Sequence, residues 1–131
     1  MNDPMSEASR KKKSVLVIED DLEYQDLAKI ILAPHYALVL CDRAEDAIEI
    51  LDNGKFDLIL LDIKLLGISG FAVLEKLHKE MRLASMPVLC CSGSSDPETQ
   101  ERAKSLGASG FIVKPYQQDA LLKAVSSLIG D

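Results

Sequence analysis

Six polar positions in this 131-residue chain stand just after four short apolar runs. Glu19, Asp20 and Asp21 come after Val15–Ile18, Asp62 after Leu58–Leu61, Ser92 after Val88–Cys91 and Lys114 after Phe111–Val113. Taken singly each is ordinary: an aspartate after a strand caps a turn, Ser92 before Gly93 reads as a turn, and a lone lysine reads as surface. Taken together they supply several carboxylates, one hydroxyl and one ammonium at equivalent chain positions. Two carboxylates about 4 Å apart repel by roughly 4 kcal/mol at an effective dielectric near 20. Glu19, Asp20 and Asp62 in one place therefore demand positive charge, and Lys114 supplies only part of it. A hard divalent cation with oxygen ligands and retained water meets the remaining need, which points to Mg²⁺. An acid/base pair would instead have to share a proton between its members. The same inventory meets the needs of phosphoryl transfer. Asp62 can serve as carboxylate nucleophile, Mg²⁺ and Lys114 can neutralise phosphoryl oxygens, and Ser92 can hydrogen-bond a third oxygen.

The elements that would bring these residues together follow from the hydrophobic periods. Val15–Ile18, Ala37–Cys41, Leu58–Leu61, Pro87–Cys91 and Gly110–Val113 are short apolar runs of the kind found in buried strands. The stretches between them change to a helical period. Leu27, Ile30 and Ile31 mark one helix, Ala44, Ala47, Ile48 and Leu51 a second, and Phe71, Leu74, Leu77 and Met81 a third. Asp96-Pro97 opens a fourth helix that ends near Leu106-Gly107, and Leu121, Leu122, Val125, Leu128 and Ile129 line a fifth. Strands alternating with amphipathic helices, without hairpin signals, predict an α/β fold with a doubly wound, five-stranded parallel sheet and right-handed crossovers. Ligands in such sheets bind beyond the carboxyl ends of the strands, where the six polar positions fall.

The length fits one domain, with residues 1–13 read as a polar, flexible N-terminal tail ending in Arg10-Lys11-Lys12-Lys13 and residues 14–131 as the folded unit. A net charge of −6 opposes direct binding of nucleic acid. Cys41, Cys90 and Cys91 lie in apolar runs without metal-ligand spacing and read as free thiols that act as small hydrophobes in a reducing compartment. There is no leader-type apolar stretch and no run of membrane-spanning length, so the expected location is the cytoplasm, with no membrane contact.

Four ordered motifs carry a family resemblance. Val15-Leu16-Val17-Ile18-Glu19-Asp20-Asp21, then Asp57-Leu58-Ile59-Leu60-Leu61-Asp62 with Gly70 downstream, Pro87-Val88-Leu89-Cys90-Cys91-Ser92-Gly93, and Gly107-Ala108-Ser109-Gly110-Phe111-Ile112-Val113-Lys114-Pro115 together resemble a receiver domain of the response regulators of two-component signalling. The resemblance spans residues 14 to about 130. It implies a flavodoxin-like (βα)5 fold with strand order 2-1-3-4-5. It implies that Asp62 accepts a phosphoryl group from a phosphohistidine. Asp20 and Asp62 would ligate Mg²⁺ directly, Glu19 mainly through water, and Lys64 through its backbone carbonyl. Ser92 would be the switch hydroxyl, Lys114 would bind phosphate, and the Lys114–Pro115 peptide would be cis. The implied partners are a sensor histidine kinase or histidine phosphotransfer protein upstream, and a protein target or output domain downstream.

The chain departs from the family pattern at three places. Phe111 stands where the family often has a tyrosine that swings inward on activation, Leu66 replaces a frequent proline, and Ser69 a frequent acidic or amide residue. Lys64 puts a flexible cation two residues past the phosphoacceptor, either as a solvated loop lysine or as a group that touches the phosphoryl and slows its hydrolysis. By this reading the chain is a switch rather than an enzyme, catalysing only its own phosphorylation and dephosphorylation. Attraction of Ser92 to the phosphate would shift the loop before the fourth helix, and with it the face formed by the fourth helix, fifth strand and fifth helix. A flavin-binding domain would need phosphate-cradling Ser, Thr or Gly after the first strand, where Glu19-Asp20-Asp21 repels phosphate. A phosphohydrolase with its aspartyl nucleophile on the first strand would need another motif than Glu19-Asp20-Asp21-Leu22. A degenerate receiver that docks partners without phosphorylation stays open as the alternative.

Overall fold

Each apolar run forms a strand in the computed structural model, which describes residues 12–65, 68–93 and 96–130. The strands are β1 (Ser14–Ile18), β2 (Ala37–Cys41), β3 (Leu58–Asp62), β4 (Val88–Ser92) and β5 (Gly110–Val113). The helices are α1 (Leu22–Leu32), α2 (Ala44–Asp52), α3 (Gly70–Lys79), α4 (Pro97–Ser105) and α5 (Gln118–Ile129). The sheet is parallel throughout, in the order β2-β1-β3-β4-β5, as the sequence and its family resemblance predict. The strand order reverses direction at β1, so β1 and β3 are neighbours whose following connections leave on opposite faces. A crevice opens at their carboxyl ends.

Side-chain alternation along the strands divides the core in two. Val15, Val17, Leu58, Leu60, Leu89 and Cys91 pack against α1 and α5 through Ala28, Ile31, Leu32, Leu121 and Val125. Leu16, Ile18, Ile59, Leu61, Val88 and Cys90 pack on the other face, against Ala44, Ala47, Leu51, Leu74, Leu77 and Ala103 of α2, α3 and α4. The inner strands β3 and β4 are buried at every position, which is why they read as continuous apolar runs, whereas the edge strands β2 and β5 are partly open. Helix starts are set by side-chain caps. Asp21 accepts from Glu23 N, Ser69 from Phe71 N, and Asp96 from Glu98 N ahead of Pro97. Ser69, a departure from the family pattern, thus serves as the cap of α3. Leu66, another departure, lies outside the described residues, as does the tail up to residue 11.

Three local expectations are revised. The buried stripe of α1 is Ala28, Ile31 and Leu32, with Leu27 partly buried and Ile30 68% exposed. The 3.6-residue period carries the inward face from Tyr24 through Ala28 to Ile31, and Ile30 falls a full 100° away. Met81 does not continue the face of α3. The helix ends at Lys79, Met81 takes a left-handed φ of 58°, and its side chain is 88% exposed. Lys13, read as the end of the tail, adjoins the sheet: its carbonyl accepts from Ala37 N at 2.9 Å, and its ammonium donates to the Ile129 carbonyl at the end of α5. Among the described residues no helix is long and apolar enough to cross a membrane.

Candidate functional site

Strand alternation decides which polar side chains can meet. Glu19 continues the series Val15, Val17, Asp62 continues Leu58, Leu60, and Lys114 follows Ile112, so all three belong to the sheet face covered by α1 and α5. They converge there. The Lys114 ammonium lies 2.6 Å from Glu19 Oε1 and 3.2 Å from Asp62 Oδ2. Glu19 and Asp62 are buried, at 3% and 4% exposure, while Asp20 is half-buried. Carboxylate oxygens of Glu19, Asp20 and Asp62 all lie within 4.8 Å of one another. They line an open cleft of about 430 Å³ together with Asp21, Tyr24, Lys64, Gly93, Lys114 and Pro115. The Lys114–Pro115 peptide is cis, as the resemblance implies.

The backbone holds the acids in place. Glu19 N donates to the Cys41 carbonyl and Ile63 N to the Cys91 carbonyl, so the residues flanking the cleft continue the ladders of the sheet. Lys64 N donates to Asp62 Oδ1 at 3.1 Å, and Asp21 N donates to Glu19 Oε2 at 3.1 Å. The Lys64 side chain is exposed at the cleft wall. Gln25 Nε2 donates to the Glu19 carbonyl at 2.6 Å and ties the first turn of α1 to the end of β1.

The charges do not balance. Burial pushes the Glu19 carboxyl up to about 7, and the negative Asp62 adds to this, while the hydrogen bond from Lys114 opposes it. The Lys114 ammonium is held above its ordinary range: burial favours loss of its proton, but the Glu19 hydrogen bond and the Asp62 charge outweigh that. One ammonium among three carboxylates leaves a formal excess of two negative charges. Three hard oxygen donors within one ion's reach, beside a cleft with room for water, fit a hard divalent cation such as Mg²⁺.

Ser92 and Phe111 have the other strand parity. Ser92 follows Val88 and Cys90, and Phe111 is level with Cys90 in the β4–β5 register, so both belong to the opposite sheet face, towards α3 and α4. Ser92 is fully buried; its carbonyl accepts from Lys114 N at 2.8 Å, and its neighbour Gly93 reaches the cleft wall. Phe111 is half-buried and borders a second cavity, of about 360 Å³, between α4 and β5. Sequence reasoning did not single out Tyr24, whose ring lies 4.2 Å from the Lys114 ammonium. Tyr24 stands in the first turn of α1, three residues after the cap Asp21, a position with no chemical signal of its own in the sequence.

Comparison with known proteins agrees with this arrangement. Residues 15–126 match the family model described as response regulator receiver domain. The chain is 28% identical over 116 residues to the cell cycle response regulator CtrA of Brucella ovis, covering 88% of this chain and 49% of that protein. It is 24% identical over 123 residues to the CAI-1 autoinducer sensor kinase/phosphatase CqsS of Vibrio cholerae, covering 92% of this chain and 18% of that protein. The chain thus spans half or less of these curated relatives. Among solved structures, a CheY-like response regulator receiver domain protein from Methanospirillum hungatei JF-1 superimposes with a TM-score of 0.82 at 30% identity, covering 89% of this chain and 93% of that one. With the family match extending from β1 into α5, and the acidic crevice at the carboxyl edge of the sheet, the chain belongs to the response regulator receiver domain family.

Proposed function

We propose that Asp62 accepts a phosphoryl group from a phosphohistidine on a sensor histidine kinase or histidine phosphotransfer protein. The observation that carries the reading is the Lys114 ammonium set between the Glu19 and Asp62 carboxylates at the mouth of the crevice. An Asp62 carboxylate oxygen attacks phosphorus, the phosphorus–nitrogen bond breaks, and the imidazole leaves with its electron pair. Lys114 moves with the negative charge, from the Asp62 carboxylate to a phosphoryl oxygen. The Lys64 amide, already on Asp62 Oδ1, fixes the orientation of the attacking carboxylate. Mg²⁺ held by Asp20, Asp62 and the Lys64 carbonyl, with Glu19 acting mainly through water, would neutralise phosphoryl charge.

The signal then crosses the sheet. Ser92 is at the start of the connection to α4 and shares a sheet face with Phe111. Drawing its hydroxyl towards the phosphate would bias the α4-β5-α5 surface and so a downstream protein or output domain. Moving such an equilibrium from 1:99 to 99:1 takes about 5.5 kcal/mol of differential stabilisation, within reach of a few charge-assisted hydrogen bonds. The protein so read is a cytoplasmic switch that turns over only its own phosphoryl group.

The test is uptake of phosphate. Incubation with Mg²⁺ and acetyl phosphate should add one phosphoryl group to the intact mass, and Asp62→Asn should abolish the gain. No gain in the unaltered protein, or a gain that survives Asp62→Asn, would remove the reading; the former result would favour a receiver that docks without phosphorylation.

A further inference from the structure

The Lys114 ammonium has a third neighbour that the phosphoryl chemistry does not require. Glu19 Oε1 and Asp62 Oδ2 take two sides of it, at 2.6 and 3.2 Å, and the Tyr24 ring takes another, with its centroid 4.2 Å away. That separation is a cation–π contact. The ring is braced in turn. Tyr24 meets Tyr116 edge-on, with centroids 5.5 Å apart and planes inclined at 60°, and Tyr116 is buried at 7% exposure among the residues between the sheet and α5. Edge-to-face pairing of this kind fixes the tilt of both rings. The base of Tyr24 is fixed as well, by the Asp21 cap and by the Gln25 hydrogen bond to the Glu19 carbonyl.

A lysine side chain has a long flexible stem, and holding its ammonium in one place costs rotamer entropy. Asp62 cannot hold it throughout the reaction, because its charge passes to the incoming group, and Glu19 then holds it from one side only. A ring face attracts the ammonium without claiming a particular N–H bond. It can therefore keep hold while the ammonium turns from carboxylate to phosphoryl oxygen.

We infer that Tyr24 is a positioning residue, which holds the Lys114 ammonium over the phosphorylation site through its ring face. The effect on rate rests on the function proposed above; the effect on Lys114 does not. The test compares Tyr24→Phe, which keeps the ring, with Tyr24→Leu, which removes it, each in the whole chain. In NMR spectra of metal-free protein carrying ¹³C-lysine, the Lys114 ε-methylene protons, assigned by their loss in Lys114→Arg, should be shifted upfield by the ring current. The shift should persist in Tyr24→Phe and vanish in Tyr24→Leu. Phosphate uptake from acetyl phosphate with Mg²⁺ should slow about tenfold in Tyr24→Leu, the scale expected for losing a cation–π contact in a partly desolvated site. In Tyr24→Phe it should stay within about twofold of the unaltered rate. An unchanged ε-methylene shift in Tyr24→Leu overturns the inference, as does an unchanged uptake rate. If the unaltered protein takes up no phosphate, the receiver chemistry fails and the ring-current comparison alone decides the role of Tyr24. Should Tyr24→Leu fail to fold, Tyr24→Met gives the same comparison with a longer apolar side chain.

Discussion

A β-carbon on Gly70 would stand 2.3 Å from the backbone carbonyl oxygen of Asp62 and 2.9 Å from Ile63 Cα. The first residue of α3 is thus pressed against the backbone of the phosphoacceptor, and Gly70 N closes the contact by donating to the Ile63 carbonyl at 2.9 Å. Neither neighbour can step aside, because both are backbone at the end of a fully buried central strand. Alanine is the better helix former by up to about 1 kcal/mol, so propensity alone would make Gly70→Ala stabilising. The close approach reverses the sign. Gly70→Ala should lower the unfolding free energy by about 2 kcal/mol or more, read from the midpoint of a urea titration at constant slope. Stability equal to that of the unaltered protein would mean that α3 can retreat from Asp62 freely.

The side chain of Lys64 can be removed without disturbing the hold on Asp62, because the contact to Asp62 Oδ1 is made by the Lys64 backbone amide. The side chain itself is exposed on the cleft wall. If its ammonium touches the phosphoryl group and impedes the attacking water, Lys64→Ala should lose phosphate several-fold faster, with a melting temperature close to that of the unaltered protein. The decay of the phosphorylated mass after removal of the donor measures the rate. An unchanged rate would leave Lys64 as a solvated loop lysine.

Much of this arrangement could be read before the structure, and the limits of that reading have a common origin. β1, β3 and β4 were legible because strands covered on both faces carry apolar residues without a break. Their last residues then named the crevice. Asp62 and Lys114 do face each other across it. Chain position did not say on which face a strand-end side chain emerges. That depends on parity, which puts Glu19, Asp62 and Lys114 on one side and Ser92 and Phe111 on the other. The face of α1 differs from the expected Leu27, Ile30 and Ile31 because large apolar side chains alone do not fix the phase of a helix; the small Ala28 and Leu32 complete the buried stripe with Ile31, and Ile30 is exposed. Tyr24 is not legible as a site residue in the sequence, because its neighbour Lys114 is ninety residues away in the chain.

Burial sets the thiol chemistry. It pushes the Cys41 thiol up to about 11, opposed by a backbone hydrogen bond at Arg43 and helped slightly by the nearby Asp46 and Asp42, and it pushes Cys90 up to about 12. Cys91 is driven well above the ordinary thiol range by burial, with Asp62 adding to the effect. The thiolate is the reactive form, so a raised value lowers reactivity at neutral pH. At pH 8 a thiol titrating near 11 is about 0.1% thiolate, against roughly a quarter for an ordinary cysteine. Alkylation of Cys41 by iodoacetamide should therefore be slow at pH 7 and rise about tenfold per pH unit up to at least pH 10. Cys90 and Cys91 should react only once the protein is denatured. Peptide mass spectrometry after timed labelling distinguishes the three sites, and a Cys41 rate that levels off below pH 9 would contradict the burial argument.

Arg82 joins two connections that are distant in sequence. Its guanidinium donates to the Leu51 carbonyl at 2.9 Å through one nitrogen and to the Gly54 carbonyl at 3.0 Å through the other. Those carbonyls belong to the last turn of α2 and the residues just beyond it, where backbone acceptors lack helical partners and carry the negative end of the helix dipole. The last turn of α2 holds no basic residue of its own, so the positive charge comes from the segment after α3. Glu80, at 3.5 Å from Arg82, adds a weak surface ion pair that contributes little. Arg82→Ala should destabilise the fold by about 1–3 kcal/mol, the range for hydrogen bonds made by a charged group. Arg82→Lys should recover only part of this, because a single ammonium on a flexible stem does not reproduce a planar fork that reaches two carbonyls at once. Urea titrations of the two variants decide the matter: full recovery by lysine would reduce Arg82 to a point charge at the end of α2, and no loss in Arg82→Ala would mean that water replaces both of its bonds at no cost.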